Sequence, residues 1–291
     1  LARRSNLREG LLFILPYALL WLVFLFGPLV FGFIISLHDW DPLSGNTFLG
    51  FKNYATLFGQ NRFWNSFLVT WRFILHVIPG IIGVALLAAV ILQFNRFRGS
   101  ELFESLVFFP YLLNVSIISI IWALMNDPDI GIINVLFERF GLDIPPLLTS
   151  KFWALLVIAF ATVWWLSGYR MIVFRAALAS IPQDLYDAAK IDGSGALRTF
   201  FMITLPLLKP TLLFTLVLTT VGGMRAFGQV ILMTSGGPGS SSEVLALYMY
   251  RLGFDFLEFG MAAAVGFIIF LVVFLLSMIF VRIFRLEGEL R

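Results

Sequence analysis

The sequence predicts an all-α polytopic membrane protein with six transmembrane helices, and three observations carry that prediction. Hydrophobic residues make up 60% of the 291-residue chain and charged residues only 13%, against about 25% charged in a soluble domain. Mean hydropathy is +0.94, more apolar surface than one water-facing globule can bury, so lipid must solvate much of it. Long apolar runs also recur along the whole length.

A helix rising 1.5 Å per residue needs roughly 20 apolar residues to cross a ~30 Å hydrocarbon core. Six stretches qualify: 11–37, 64–94, 102–125, 152–177, 211–234 and 260–284. The first follows Arg3, Arg4 and Arg8 as a signal peptide would, but its apolar run is too long and lacks a small-residue cleavage motif, so a retained span is expected. Pro16, Pro28, Pro79 and Pro110 fall inside spans, where neighbouring helices satisfy the freed carbonyls and kinks are expected. Segment 38–62 is polar, with turn signals at Asp41-Pro42 and Ser44-Gly45-Asn46, and is too short for a separate domain. In the loop 126–151, the apolar stretch 132–137 is expected to form a short interfacial helix. No fixed-period repeat or low-complexity tract interrupts the chain, so a single transmembrane domain over 1–291 is expected.

Charge sets the expected orientation. Twelve of the 20 Lys and Arg residues fall on one set of termini and loops, from Arg3, Arg4 and Arg8 through Arg96 and Lys190 to Arg285 and Arg291. Five, Lys52, Arg62, Arg139, Lys151 and Arg251, fall on the other. Basic residues accumulate on the cytoplasmic side, so both termini are expected there. The absence of cysteine excludes a disulfide framework, a thiolate metal site and a cysteine nucleophile. His38 and His76 form no metal-ligand spacing, and no G-x-x-x-x-G-K-[ST] loop is present to cradle ATP phosphates. No acid, base and nucleophile set converges as an enzyme would need.

The loop between the fourth and fifth spans, 180–210, has helical grammar. Ser180 and Gln183 have capping-box spacing, Pro182 suits a first turn, and Asp184 and Asp187 suit the positive end of the dipole. Gly193 is placed to stop that helix. A second helical stretch, 196–205, meets Pro206 and Pro210, so the loop is expected to be helix, tight turn and helix. Ala188 and Ala189 would let another surface approach closely, with Leu185 and Ile191 as apolar anchors beside them.

Asp187-Ala188-Ala189, Asp192-Gly193, Ile203, Leu205 and Pro206 resemble, in identity and spacing, the cytoplasmic EAA motif of binding-protein-dependent ABC importer permeases. Asp187 stands where that motif usually has glutamate, and Ser194 where it usually has alanine. Phe48-Leu49-Gly50-Phe51-Lys52-Asn53-Tyr54 and Thr234-Ser235-Gly236-Gly237-Pro238 narrow the resemblance to maltose-type and glycerol-phosphate-type sugar permeases, as the first of two unlike permease subunits. The resemblance implies a type I ABC importer permease fold, with Asp187, Ala188, Ala189, Asp192, Gly193, Leu205 and Pro206 coupling it to an ATPase. It implies a heterodimer with a second permease, two copies of a cytoplasmic ATPase that carry the ATP and Mg, and an extracytoplasmic solute-binding protein. No cofactor in this chain and no nucleic-acid partner are expected. A sugar or oligosaccharide is the expected cargo, with glycerol phosphate or another anionic polyol as the alternative, since arginines in the path suit phosphate or carboxylate as well as hydroxyls. An ion-coupled secondary transporter is the rival class, but it would favour acids deep in spans. Here the acids lie in loops and tails, apart from Glu104 at a span edge.

Ionisable residues inside spans usually face a cavity. Arg72, Arg170 and Arg225 are such residues. Gly222, Arg225, Ala226 and Gln229 share one helical face if the fifth span is continuous, with Gly222 and Gly223 leaving room and Arg225 and Gln229 offering donors to hydroxyls. Trp164, Trp165 and Tyr169 near Arg170 offer ring surface. The resemblance implies substrate contacts from these two spans, at Arg170 and at 223–226. Other roles stay open: the arginines snorkel, the glycines serve helix packing, and the aromatics form an interfacial belt.

Overall fold

A computed structural model of the chain describes residues 2–41, 45–94, 97–141 and 145–288, with side chains described from 12 to 283 within those ranges. Pro42 and Ser44 of the first turn signals, Arg96 and Arg291 lie outside the described residues, as do the side chains of Arg3, Arg4, Arg8 and Arg285. Four helical stretches are long and apolar enough to cross a membrane: Leu12–Ser36, Asn61–Phe94, Trp153–Ala179 and Phe259–Ile283. Two bent pairs bring the number to the expected six if each is one span: Ser100–Leu112 with Val115–Met125 at 103°, and Ala196–Leu207 with Lys209–Met224 at 67°. The chain divides into two compact units, 1–63 with 248–271 and 64–247 with 272–291.

In the first unit, Pro28 removes an amide donor and crowds the carbonyl four residues back. The helix absorbs this as a π-helical stretch, Leu22–Phe26, in which the Gly27 amide reaches back to the Leu22 carbonyl. The span ends at Ser36, where helical carbonyls lose their partners. Asn53, on the helix Lys52–Gly59, donates to the carbonyls of Ser36 and His38 at 2.9 Å each, and the Tyr54 and Ser36 hydroxyls pair at 2.6 Å. The Asn53-Tyr54 pair of the quoted motif is therefore the cap of the first span. Between them lies a feature the sequence reading did not anticipate: an antiparallel hairpin of His38–Asp41 with Gly45–Phe48. Gly260 meets it so closely that a Cβ there would lie 2.1 Å from the His38 carbonyl oxygen.

In the second unit, the third span is a broken helix. Pro110 interrupts the amide ladder, Phe109–Leu112 tightens to a 3₁₀ turn, and Leu113 is extended. Asn114 then caps a new helix, accepting from the Ser116 amide at 3.0 Å. The fourth span supports the break, since the Trp165 indole donates to the Leu113 carbonyl at 3.1 Å. Gly168 allows the close approach: a Cβ there would lie 2.3 Å from the Val107 carbonyl oxygen.

The fifth span is not the continuous helix 211–234. It runs from Lys209 to Met224 and stops. Gly222 and Gly223 are weak helix formers, and the amides of Arg225 and Ala226 close it with short bonds to Gly222 and Gly223 carbonyls at 3.2 Å each. A short helix, Gly228–Thr234, follows.

Beyond it the Thr234–Pro238 motif is organised by its threonine. The Thr234 hydroxyl pairs with that of Ser242 at 2.8 Å and accepts from the Gly236 amide at 3.2 Å, and Ser242 donates to the Gly237 carbonyl at 2.7 Å. The second span holds this loop: Asn65 donates to the Ser240 carbonyl at 2.9 Å, Ser66 to the buried Glu243 carboxylate at 3.4 Å, and the Leu245 amide to the Thr70 hydroxyl at 2.8 Å.

Thr70 and Leu245 are both about fully buried, so Thr70→Val leaves an amide without its acceptor while keeping the side-chain shape. A buried orphan costs about 1–3 kcal/mol. The expected result is a lower thermal unfolding midpoint for the purified protein in detergent, and an unchanged midpoint would show that this bond does not hold the loop.

Candidate functional site

Two regions of the second unit hold the expected site residues. The first is the loop 180–210. Its helix is Gln183–Ile191, with Asp184 in the first turn and Lys190 in the last. The capping box does not form. Ser180 still ends the fourth span and donates to the Ala177 carbonyl at 2.7 Å. The residue before a proline avoids helical geometry, so the new helix starts only after Pro182.

Its end matches the expectation at Gly193. That residue has φ +71°, its amide donates to the Lys190 carbonyl at 3.0 Å, and the Ser194 amide donates to that of Ala189 at 2.9 Å. This pair of bonds is a Schellman stop, whose left-handed position suits glycine. Asp187 is exposed on the helix, accepting from Lys190 at 3.2 Å and Gln183 at 3.5 Å. Lys190 first, and Gln183 next, hold its carboxyl below the usual carboxylate value.

The two alanines face opposite ways. Ala188 is exposed, as expected of a docking position, but Ala189 is buried within the unit, where it makes room for the helix against its own spans rather than for a partner. Buried Tyr186 fixes that seat, its ring edge-on to Phe94 at 5.1 Å and its hydroxyl 3.3 Å from that of Thr204. Asp192 is the exposed C-cap, Leu205 is half-buried and Pro206 exposed. The outward surface is apolar: Ile191 is 87% exposed and Leu197 77%. At Leu208, fully buried, the chain bends by 67° into the fifth span, as Pro206 and Pro210 imply.

The second region is a cavity of about 350 Å³ at the two breaks. All of Arg170, Gly222, Gly223, Arg225, Ala226 and Gln229 line it. They do so for a different reason than a shared helical face. The helix ends at Met224, so Arg225 and Ala226 lie in the break and Gln229 on the next helix, and the cavity gathers them because the chain turns there. Trp165, Phe73 and Phe227 add ring surface, and Val115 brings the start of the second half of the third span. Thr219 also lines it, with a buried hydroxyl that has no hydrogen-bond partner among the described residues.

Other expected residues fall elsewhere. Arg72 is exposed and lies off the cavity. Trp164 packs on Trp122 at 5.9 Å, and Tyr169 stacks on Tyr111 at 5.0 Å while its ring carries the Arg170 guanidinium at 5.1 Å. Glu104, at the edge of the third span, is ion-paired with Arg175. Among the described residues, no group of three or more His, Cys, Asp or Glu is placed to hold a metal ion.

Residues 54–286 match the family described as binding-protein-dependent transport system inner membrane component. The lactose transport system permease protein LacF of Rhizobium radiobacter is 34% identical over 284 residues, covering 94% of this chain and 95% of its own. The sn-glycerol-3-phosphate transport system permease protein UgpA of Escherichia coli is 31% identical over 282 residues, covering 96% and 94%. A solved bacterial alginate ABC transporter, in complex with an alginate pentasaccharide-bound periplasmic protein, contains a chain that superposes with a TM-score of 0.82 at 24% identity. That match covers 96% of this chain and 93% of the other and shows a common fold.

The two glycines at the cavity differ in what a side chain would meet. A Cβ on Gly223 would lie 2.5 Å from Ile74 Cγ1, whereas one on Gly222 meets nothing within 4 Å. Gly223 thus serves helix packing and Gly222 opens onto space. Gly223→Ala is expected to destabilise by about 1–3 kcal/mol, and Gly222→Ala to keep or raise stability by up to about 1 kcal/mol, since alanine is the better helix former. Thermal unfolding of both variants checks this, and equal midpoints would contradict it.

Proposed function

This chain belongs to the family of binding-protein-dependent transport system inner membrane components, and on that premise we propose that it is one of two unlike permease subunits of an ATP-driven importer of a sugar, oligosaccharide or polyol. A solute-binding protein delivers the cargo outside, and two copies of an ATPase subunit bind ATP and Mg on the cytoplasmic side. Both termini and the loop 180–210 are cytoplasmic, in keeping with the bias of basic residues. The observation that carries this reading is the helix Gln183–Ile191, stopped at Gly193 and seated by Tyr186 on the unit that holds the cavity.

Energy reaches the cavity mechanically. Closure of the ATPase dimer displaces the docked helix, and Tyr186 passes the displacement to Phe94 at the end of the second span and Thr204 ahead of the fifth. The spans then shift between inward-open and outward-open arrangements. An ion-coupled carrier is the competing reading, distinguished by transport without any ATPase.

The experiment is uptake into proteoliposomes that hold both permeases and the ATPase, with ATP inside and loaded binding protein outside. Uptake is expected to require ATP. Arg225→Ala removes a charged donor from the cavity, and hydrogen bonds to charged groups are worth about 1.5–3 kcal/mol, so a loss on the order of tenfold or more is expected while the complex stays assembled. Wild-type uptake by that variant at all cargo concentrations would remove Arg225 from the path.

A further inference from the structure

The cavity is charged with one sign. Arg170 and Arg225 both line it, and no Asp or Glu is among its lining residues. Neither guanidinium has a carboxylate partner among the described residues. Arg170 rests on the Tyr169 ring, and its Nε is buried with no hydrogen-bond partner. Arg175 with Glu104 and Lys190 with Asp187 are ion pairs of this unit that lie off the cavity. Arg170 lies within the helix Trp153–Ala179, where an uncompensated guanidinium is costly and is retained where a partner or pathway needs it, while Arg225 is exposed in the break after Met224.

The balance of donors and acceptors points the same way. A neutral polyol presents hydroxyls that both donate and accept, so a pocket built for it supplies acceptors as well as donors. Arginine donates and never accepts. Side-chain acceptors on this lining come only from Gln229 and the hydroxyls of Thr162 and Thr219. An anionic oxygen group only accepts, and the planar guanidinium takes carboxylate or phosphate with paired hydrogen bonds. The helix Val115–Met125 begins at the cavity, so its dipole adds positive potential there.

We propose that the imported molecule is a sugar or polyol bearing an anionic group, a carboxylate or a phosphate or sulfate ester, and that Arg170 and Arg225 hold that group during passage. This rests on the cavity being the path of the cargo. The test uses cells without other uptake routes that express the complete importer. They are given a mixed pool of neutral mono-, di- and oligosaccharides and glycerol, together with the matching uronates, sugar sulfates and sn-glycerol 3-phosphate. ATP-dependent accumulation is read by mass spectrometry. Only anionic members are expected to accumulate, with Arg170→Gln raising the half-saturating concentration by about tenfold or more and Arg170→Lys by less. Accumulation of neutral members alone, or wild-type saturation by Arg170→Gln, would overturn the anionic cargo and leave the importer intact. Accumulation of nothing from the pool would overturn the importer reading and this inference with it.

Discussion

In lipid, every backbone amide and carbonyl must find a partner within the protein, and the arrangement of the second unit follows from that constraint. A span can stop partway only where something else takes up the groups it frees. The third span breaks at Leu113 and Asn114, where the Trp165 indole takes one carbonyl and the Asn114 side chain caps the next helix. The fifth breaks after Met224, where short bonds from Arg225 and Ala226 close the last turn. The Thr70 hydroxyl takes the Leu245 amide beyond the second break. The cavity lies at both interruptions, so Trp165, Arg225 and Ala226, which help make breakage tolerable, also build its walls.

The loop 180–210 meets a different demand. A helix of nine residues is too short to hold its shape alone in water. It is held by a Schellman stop at Gly193, by charges matched to its dipole, and by Tyr186 and Ala189 seated against its own spans. The opposite surface, with Leu185, Ala188, Ile191 and Leu197, stays uncovered in this chain. One face is fixed to the rest of the chain and the other is uncovered, as the proposed transmission of displacement requires.

Much of this was legible in the sequence, and the misses have physical causes. Apolar length located all six spans, because lipid demands about 20 apolar residues whatever the fold. It did not reveal that two of them are broken, since an apolar run reads the same whether its backbone is straight or bent. Asn114 within an apolar run was an available sign of a helix start, and Gly222-Gly223 of a helix end. Gly193 was legible because a left-handed stop has a strong residue preference. The capping box at Ser180 was not, because the bias of Pro182 on the residue before it outweighed the spacing of Ser180 and Gln183. The residues expected along the path line one cavity, although the face from which they were read does not exist as a continuous helix. Their polarity within an apolar run marked them, and the break brought them together. Ala189 was assigned outward because sequence spacing alone does not say which side of a short helix its own protein covers.

The account depends most on the claim that the loop 180–210 couples this chain to an ATPase. Gly193→Asp tests it directly, since a side chain there strains a residue at φ +71° with nothing crowding it from the spans. The measurement is capture of the ATPase by the purified permease pair, together with ATP turnover in the presence of loaded binding protein. The account predicts a variant that still inserts and pairs with the second permease but loses ATPase capture or its cargo-stimulated turnover. Wild-type levels of both would contradict it.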